Sequence, residues 1–429
     1  VAVVQHPEDV TPPQPQHPPP RFGQESRPRR ASRSAGESPT PGAGPGTSSG
    51  PTAESTAKAR SGFRLPNWAA RRATHRPDLT WVPLSDVELP PLDLTRRPWP
   101  GRTLEVAGTR LHVRETPAET PDAPTAVYLH GLAGSASNWT DLAGLLRVRL
   151  NGISVDLPGF GRSAPPDGFL YTPAAHVRMV VRLLESRRAE PVHLLGNSFG
   201  GLVAAIVAAT RPDLVATLTL ISPAVPDLRP SPDRLSDPRF PLTYLPLVGK
   251  PVRRALAAMT PLARAEQMMR VCFARPDLVP RHRLEEFAAE MARLSRTSWA
   301  GPALGRTTMA MIRFWLARGD RSLWRVLPRV SAPTLVIWGT EDRLMSARKA
   351  VRTATALPHG RLLMLPYTGH VAQMEQPELV AKAVLGMVTA PWLPETVSSE
   401  ASTRIVPEPL TDTPVLGGDE WGRSGGMAV

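Results

Sequence analysis

The chain has 429 residues, with 51 lysines and arginines against 38 acids, a formal charge of +13 and a single cysteine, Cys272. One cysteine permits no internal disulfide, and no apolar run reaches the roughly 18–20 residues that a helical membrane span needs. The excess charge rests almost wholly on arginine and lacks the clustered basic face or motif of a nucleic-acid reader, so a soluble cytoplasmic protein with no specific nucleic-acid partner is expected.

Taken in chain order, residues 1–75 are rich in proline, glycine, serine and arginine, with eleven prolines in the first fifty. They lack the periodic apolar residues that would offset the entropy of ordering, which predicts a disordered tail. The arginine-rich run at 27–33 suits at most weak peripheral contact with an anionic membrane, and no apolar stretch follows Arg29-Arg30 as a twin-arginine signal requires. An extended lead-in over 76–101 comes next. Residues 103–106 and 109–114 alternate apolar and polar side chains around Ala107-Gly108, predicting an antiparallel hairpin. Apolar runs at 125–129, 152–156, 191–195, 218–221, 333–339 and 361–366 read as buried strands. Helical spacing appears over 139–146, 172–188, 202–211, 346–357 and 377–388. Alternation of this kind predicts an α/β fold: a mostly parallel, eight-stranded sheet flanked by helices. Residues 102–223 and 331–392 form this core. From 224 to 330 the chain reads as short helices broken by prolines, clearest at 283–296 and 307–316, and predicts an inserted helical cap. Beyond 393 it turns polar and glycine-punctuated, as a second tail.

The chemistry concentrates at strand ends. Gly196-Asn197-Ser198-Phe199-Gly200 follows the run at 191–195 and precedes a helix, the context of a nucleophile elbow. A serine on such a turn projects from the sheet at a helix N-terminus, where developing negative charge is favoured. Serine is a weak nucleophile and needs a base, an orienting acid and an oxyanion hole. His370, in the loop after the 361–366 strand, is the candidate base. Asp342, after the 333–339 strand, is the candidate acid, in competition with Asp227 after the 218–221 strand. The backbone N–H groups of Leu132 and Phe199 are the candidate oxyanion donors. Glu341 reads as a solvated neighbour. His112, His193 and His359 read as packing or surface residues, and Cys272 as a small core residue.

Five motifs in this order resemble the α/β-hydrolase superfamily in its cap-bearing branch: His130-Gly131, the Asp-Leu-Pro-Gly-Phe-Gly-Arg-Ser turn at 156–163, the serine pentapeptide, Gly339 to Asp342, and Gly369-His370. The resemblance covers residues 102–392. It implies that His130 and Gly131 support the oxyanion loop, that Asp156 orients neighbouring loops, and that Gly196 and Gly200 make room for the elbow. It also implies a serine hydrolase acting through an acyl-enzyme, with no cofactor or metal. The string from Gly369 to Glu375 is similar to that of hydrolases cleaving carbon–carbon bonds beside a ketone. Their His-Gly-x-Gly-Pro-Gly loop is absent, and His-Gly-Leu-Ala-Gly stands in its place. A carboxylesterase or lipase-like enzyme acting on a fairly apolar small-molecule ester is therefore expected, with a diketone-acid carbon–carbon hydrolase or a ligand sensor on the same fold as alternatives. Apolar side chains at Met259, Met268, Met269, Met291, Met309, Met311, Phe314 and Trp315 pack the cap or line its channel.

Overall fold

Ala107 and Gly108 both take positive φ, 47° and 74°, the primed turn whose twist suits two paired strands. They join β1 (Gly101–Val106) to β2 (Thr109–Thr116), antiparallel. The computed structural model describes residues 79, 81–187, 190–228 and 249–389. Both expected tails, 1–75 and 393–429, and the start of the lead-in except position 79 therefore lie outside the described residues.

The remaining strands are β3 (Thr125–Leu129), β4 (Asn151–Val155), β5 (Val192–Asn197), β6 (Val215–Ile221), β7 (Thr334–Gly339) and β8 (Gly360–Leu365). Their order across the sheet is β1-β2-β4-β3-β5-β6-β7-β8. From β4 to β8 every pairing is parallel, and β2 runs against both its neighbours. Between the strands lie α1 (Thr140–Leu146), α2 (Pro173–Ser186) and α3 (Phe199–Thr210). After β6 come α4 (Gly249–Ala257), α5 (Pro261–Cys272), α6 (Arg281–Leu294) and α7 (Ala300–Trp315), and the core closes with α8 (Ala350–Thr355) and α9 (Pro377–Thr389).

The uninterrupted apolar runs of the strands follow from burial on both faces. Side chains alternate across a strand, so Val127, Leu129, Val336, Trp338, Leu362 and Met364 enter one cluster with α2, α3 and α8. Their neighbours Ala126, Tyr128, Leu335, Ile337, Leu363 and Leu365 enter the other, with α1 and α9. The lead-in forms no strand or helix over 84–100. It lies on the second cluster through Leu84, Val87, Leu89 and Leu92, and the Trp99 indole N–H donates to the Thr140 carbonyl at 2.9 Å.

Among the expected boundaries that move, two helix starts have a local cause. The helix after the elbow begins at Phe199 rather than at 202, because β5 runs through Asn197 and one residue, Ser198, makes the whole turn. Helix α7 begins at Ala300 rather than at 307, since Gly301, Pro302 and Gly305 mask its first turns in sequence. Helices α4 and α5 were not singled out by spacing. Thr260 caps α5 by accepting from the Ala263 N–H at 3.1 Å, with Pro261 at the first helical position, a start suited to proline.

The helical insertion between β6 and β7 reaches the loops at the carboxyl ends of five strands. Glu290 of α6 accepts from Ser135 and Ser137 after β3 at 3.0 and 3.3 Å. Arg293 donates to the Gly161 carbonyl after β4 at 2.6 Å, and Trp315 to the Ala224 carbonyl after β6 at 2.9 Å. Arg343, after β7, donates to the Arg270 and Phe273 carbonyls, and His370, after β8, donates its backbone N–H to Cys272. In parallel sheets this is the edge where ligands bind.

Candidate active site

Ser198 takes φ 52° and ψ −117°, outside the regions open to most L-residues. Such a conformation costs about 1–3 kcal/mol and survives only where its surroundings over-determine it. Here they do. The Ser198 N–H donates to Ile221 at 3.0 Å, and its carbonyl accepts from Ala224 at 2.9 Å and Leu202 at 3.1 Å. Gly196 and Gly200 are required by close approach: a Cβ on Gly196 would run into the Gly200 carbonyl, and one on Gly200 into the Leu129 carbonyl. Ser198 is 9% exposed. Phe199, as the first residue of α3, has an N–H with no acceptor inside the helix.

The loop after β3 lies directly against this turn. A Cβ on Gly131 would stand 3.0 Å from Ser198 Cβ, and Leu132 follows it. His130 braces the loop from beneath. Its Nδ1–H donates to the Gly131 carbonyl at 2.7 Å, and its Nε2 accepts from the Leu157 N–H at 3.0 Å. Burial pushes its pKa down, so the ring stays neutral with both nitrogens committed. Asp156 ties the next loops together, accepting from Ala136 at 2.6 Å, from Arg162 at 2.8 Å and from His112 Nδ1 at 2.8 Å. Burial pushes its carboxyl up, but the bonds from His112 and from the Ala136 and Arg162 N–H groups outweigh burial and hold it below the usual range. His112, read from sequence as a packing residue, is thus a partner of Asp156.

Asp342 and His370 meet. His370 Nδ1 lies 2.9 Å from Asp342 Oδ2 and 3.1 Å from Oδ1. The carboxylate side chain is wholly buried and also accepts the Leu344 and Met345 N–H groups at 2.9 and 2.8 Å, which fixes its direction. The His370 carbonyl accepts from Asn197 Nδ2 at 3.0 Å, so the histidine loop is bound to the residue before Ser198. Asp227 is buried elsewhere, 4.0 Å from Lys349 Nζ, and it is Asp342 that contacts the imidazole. Glu341 and His359 are exposed. His193 bonds Thr217 at 2.9 Å, and burial pushes its pKa down to about 4. Burial, with the charges of Asp342 and Glu375, pushes the Cys272 thiol up to about 12, which leaves it protonated.

Three participants in this architecture escaped sequence reasoning. Asn197 and Glu375 lie within recognised strings but carried no assigned role. His176 sits on the buried stripe of α2, fully enclosed by the rings of Phe160, Phe169 and Phe199 at 6.1, 5.0 and 5.0 Å. Neither of its nitrogens has a hydrogen-bond partner among the described residues, and burial pushes its pKa down to about 3. The sequence signal was available: a histidine in a helical stripe of valines and leucines.

A family model described as the alpha/beta hydrolase fold matches residues 124–377, more than half of the chain. The chain belongs to that family. This α/β hydrolase is 25% identical over 275 residues to YugF, an uncharacterized hydrolase of Bacillus subtilis, covering 63% of this chain and 92% of that protein. It is 26% identical over 269 residues to the monoacylglycerol lipase abhd6-B of Xenopus laevis, covering 62% and 76% respectively. Among solved structures, the 2-hydroxy-6-oxo-6-phenylhexa-2,4-dienoate hydrolase of a Rhodococcus strain shares its fold, with a TM-score of 0.55 at 21% identity. That match covers 68% of this chain and 98% of the other. Among the described residues no helix is long and apolar enough to cross a membrane.

Proposed function

We propose that this α/β hydrolase is a serine esterase of the carboxylesterase or lipase-like kind, with Ser198, His370 and Asp342 as its triad. The observation that carries the proposal is the buried Asp342–His370 pair at 2.9 Å, on a loop that Asn197 fastens beside Ser198. With Nδ1–H held by Asp342, Nε2 is the free lone pair that accepts the Ser198 proton. Oγ then attacks the ester carbonyl, and the tetrahedral oxyanion is received by the N–H groups of Leu132 and Phe199. Each such donor contributes about 3–4 kcal/mol to the transition state. His370 passes its proton to the departing alkoxide, leaving an acyl-serine. Water, deprotonated by the same imidazole, attacks the acyl carbon, releases the acid and returns the proton to Ser198.

The described helices of the insertion, over 249–330, act as the cap over this site, excluding water and shaping the acyl pocket. An apolar cluster of Met269, Phe273 and Val371, with Leu284, Phe287 and Met374 packed on it, stands beside His370 and favours an apolar ester. The similarity to a monoacylglycerol lipase points the same way. Labelling by a fluorophosphonate, lost in Ser198→Ala, tests the nucleophile. Hydrolysis of p-nitrophenyl esters of increasing chain length, set beside a vinylogous diketone acid, tests the substrate class. Turnover of the diketone acid alone would overturn the esterase assignment.

A further inference from the structure

The loop that carries His370 is gripped from two sides. Its carbonyl is held by Asn197 of the core, and its N–H donates to the carbonyl of Cys272, at the end of α5, at 2.7 Å. Gly369 is pressed against the same segment so closely that a Cβ there would lie 2.5 Å from the Cys272 oxygen and 2.7 Å from the Ala274 nitrogen. Glu375 closes the joint. One carboxylate oxygen accepts the Gly369 N–H at 2.7 Å and the other accepts the Ala274 N–H at 2.8 Å.

Resting on the serine-esterase function above, we propose that Glu375 is a positioning residue for His370, clasping the histidine loop to the cap so that the imidazole is aligned only while the cap is seated. A carboxylate is suited to this place because it offers an acceptor to each of two N–H groups belonging to segments 95 residues apart, Gly369 and Ala274. Burial pushes the Glu375 carboxyl up, and the Ala274, Gly369 and Arg275 N–H groups oppose that. The charged or titratable neighbours of the joint are Asp342, Arg343, Cys272 and His370 itself. A glutamine at 375 matches the shape, yet it turns an NH₂ toward one of the two N–H groups and removes a negative charge near the imidazole.

The test compares wild type, Glu375→Gln and Glu375→Asp by fluorophosphonate labelling rate, ester kinetics and pH profile, with melting temperature as the control for folding. Glu375→Gln is expected to lower kcat and the labelling rate by about ten- to a hundredfold, the scale of a small misplacement of a catalytic group. KM should change little. The acid limb of kcat/KM should move to lower pH, because imidazolium loses a favourable neighbour. Should the glutamine variant not fold, Glu375→Asp decides. It keeps the charge and shortens the reach, so it should keep the wild-type pH profile while kcat falls. A folded Glu375→Gln with unchanged labelling and pH profile, or a Glu375→Asp with unchanged kcat, overturns the clasp and leaves the esterase function standing. Wild-type protein that never labels overturns both.

Discussion

Asn197 donates its side-chain amide to the His370 carbonyl at 3.0 Å and to the Ile221 carbonyl at 3.1 Å, joining β5, β6 and the histidine loop through one buried group. Truncation takes the amide donor from the buried His370 carbonyl, at about 1–3 kcal/mol for a group left unpaired, whereas the Ile221 carbonyl keeps the Ser198 N–H. Asn197→Ala should therefore lower both stability and kcat, with KM affected least. Denaturant titration alongside steady-state kinetics checks this, and an active variant of wild-type kcat would refute the linkage.

The two aspartates separate cleanly. Asp342→Asn keeps the shape but disturbs the tautomer that presents Nε2 to the serine, and a loss of about 10⁴ in kcat is expected. Asp227 lies beside Lys349 and not against the imidazole, so Asp227→Asn should leave most activity. Comparable losses in the two variants would show the acid to be misassigned.

Gly200→Ala sets two magnitudes against each other. Alanine favours a helix over glycine by about 1 kcal/mol, but here its methyl would enter the Leu129 carbonyl. Overpacking at a rigid backbone contact costs about 1–3 kcal/mol or more, so net destabilisation is expected, read as a fall in the denaturation midpoint.

Acid should weaken this fold early. His176 and His193 titrate at about 3 and about 4 when folded, against about 6.5 unfolded. Between those values the unfolded chain binds more protons, so stability falls as pH falls from about 6.5, by about 1.4 kcal/mol per pH unit for each ring. His176→Phe removes one of these groups together with two unpartnered nitrogens. It should flatten the dependence of melting temperature on pH between 6.5 and 4 and cost little at pH 7.

Strand positions were legible because burial on both faces demands apolar runs: 125–129 coincides with β3, and 333–339 overshoots β7 by one residue. Helices α4 and α5 were not: Pro251 falls inside α4, and only Ala265, Met269 and Val271 of α5 are buried, a short stripe. The choice of acid was open for a geometric reason. Asp227 and Asp342 follow β6 and β7, which pair in parallel, so both arrive at the same edge of the sheet. In the folded chain the Asp342 carboxylate, held by the Leu344 and Met345 N–H groups, meets His370, while Asp227 lies by Lys349.

Local pattern thus determined the kind of fold, the candidate serine, base and donors, and their order along the chain, because periodicity and turn chemistry are written in neighbouring residues. Partnership was decided in three dimensions. Asn197 and His370 are 173 positions apart, and Glu375 and Ala274 are 101 apart. A hydrogen bond depends on distance and direction at the 3 Å scale, and nothing in a linear pattern specifies either until the sheet, its loops and the insertion have packed.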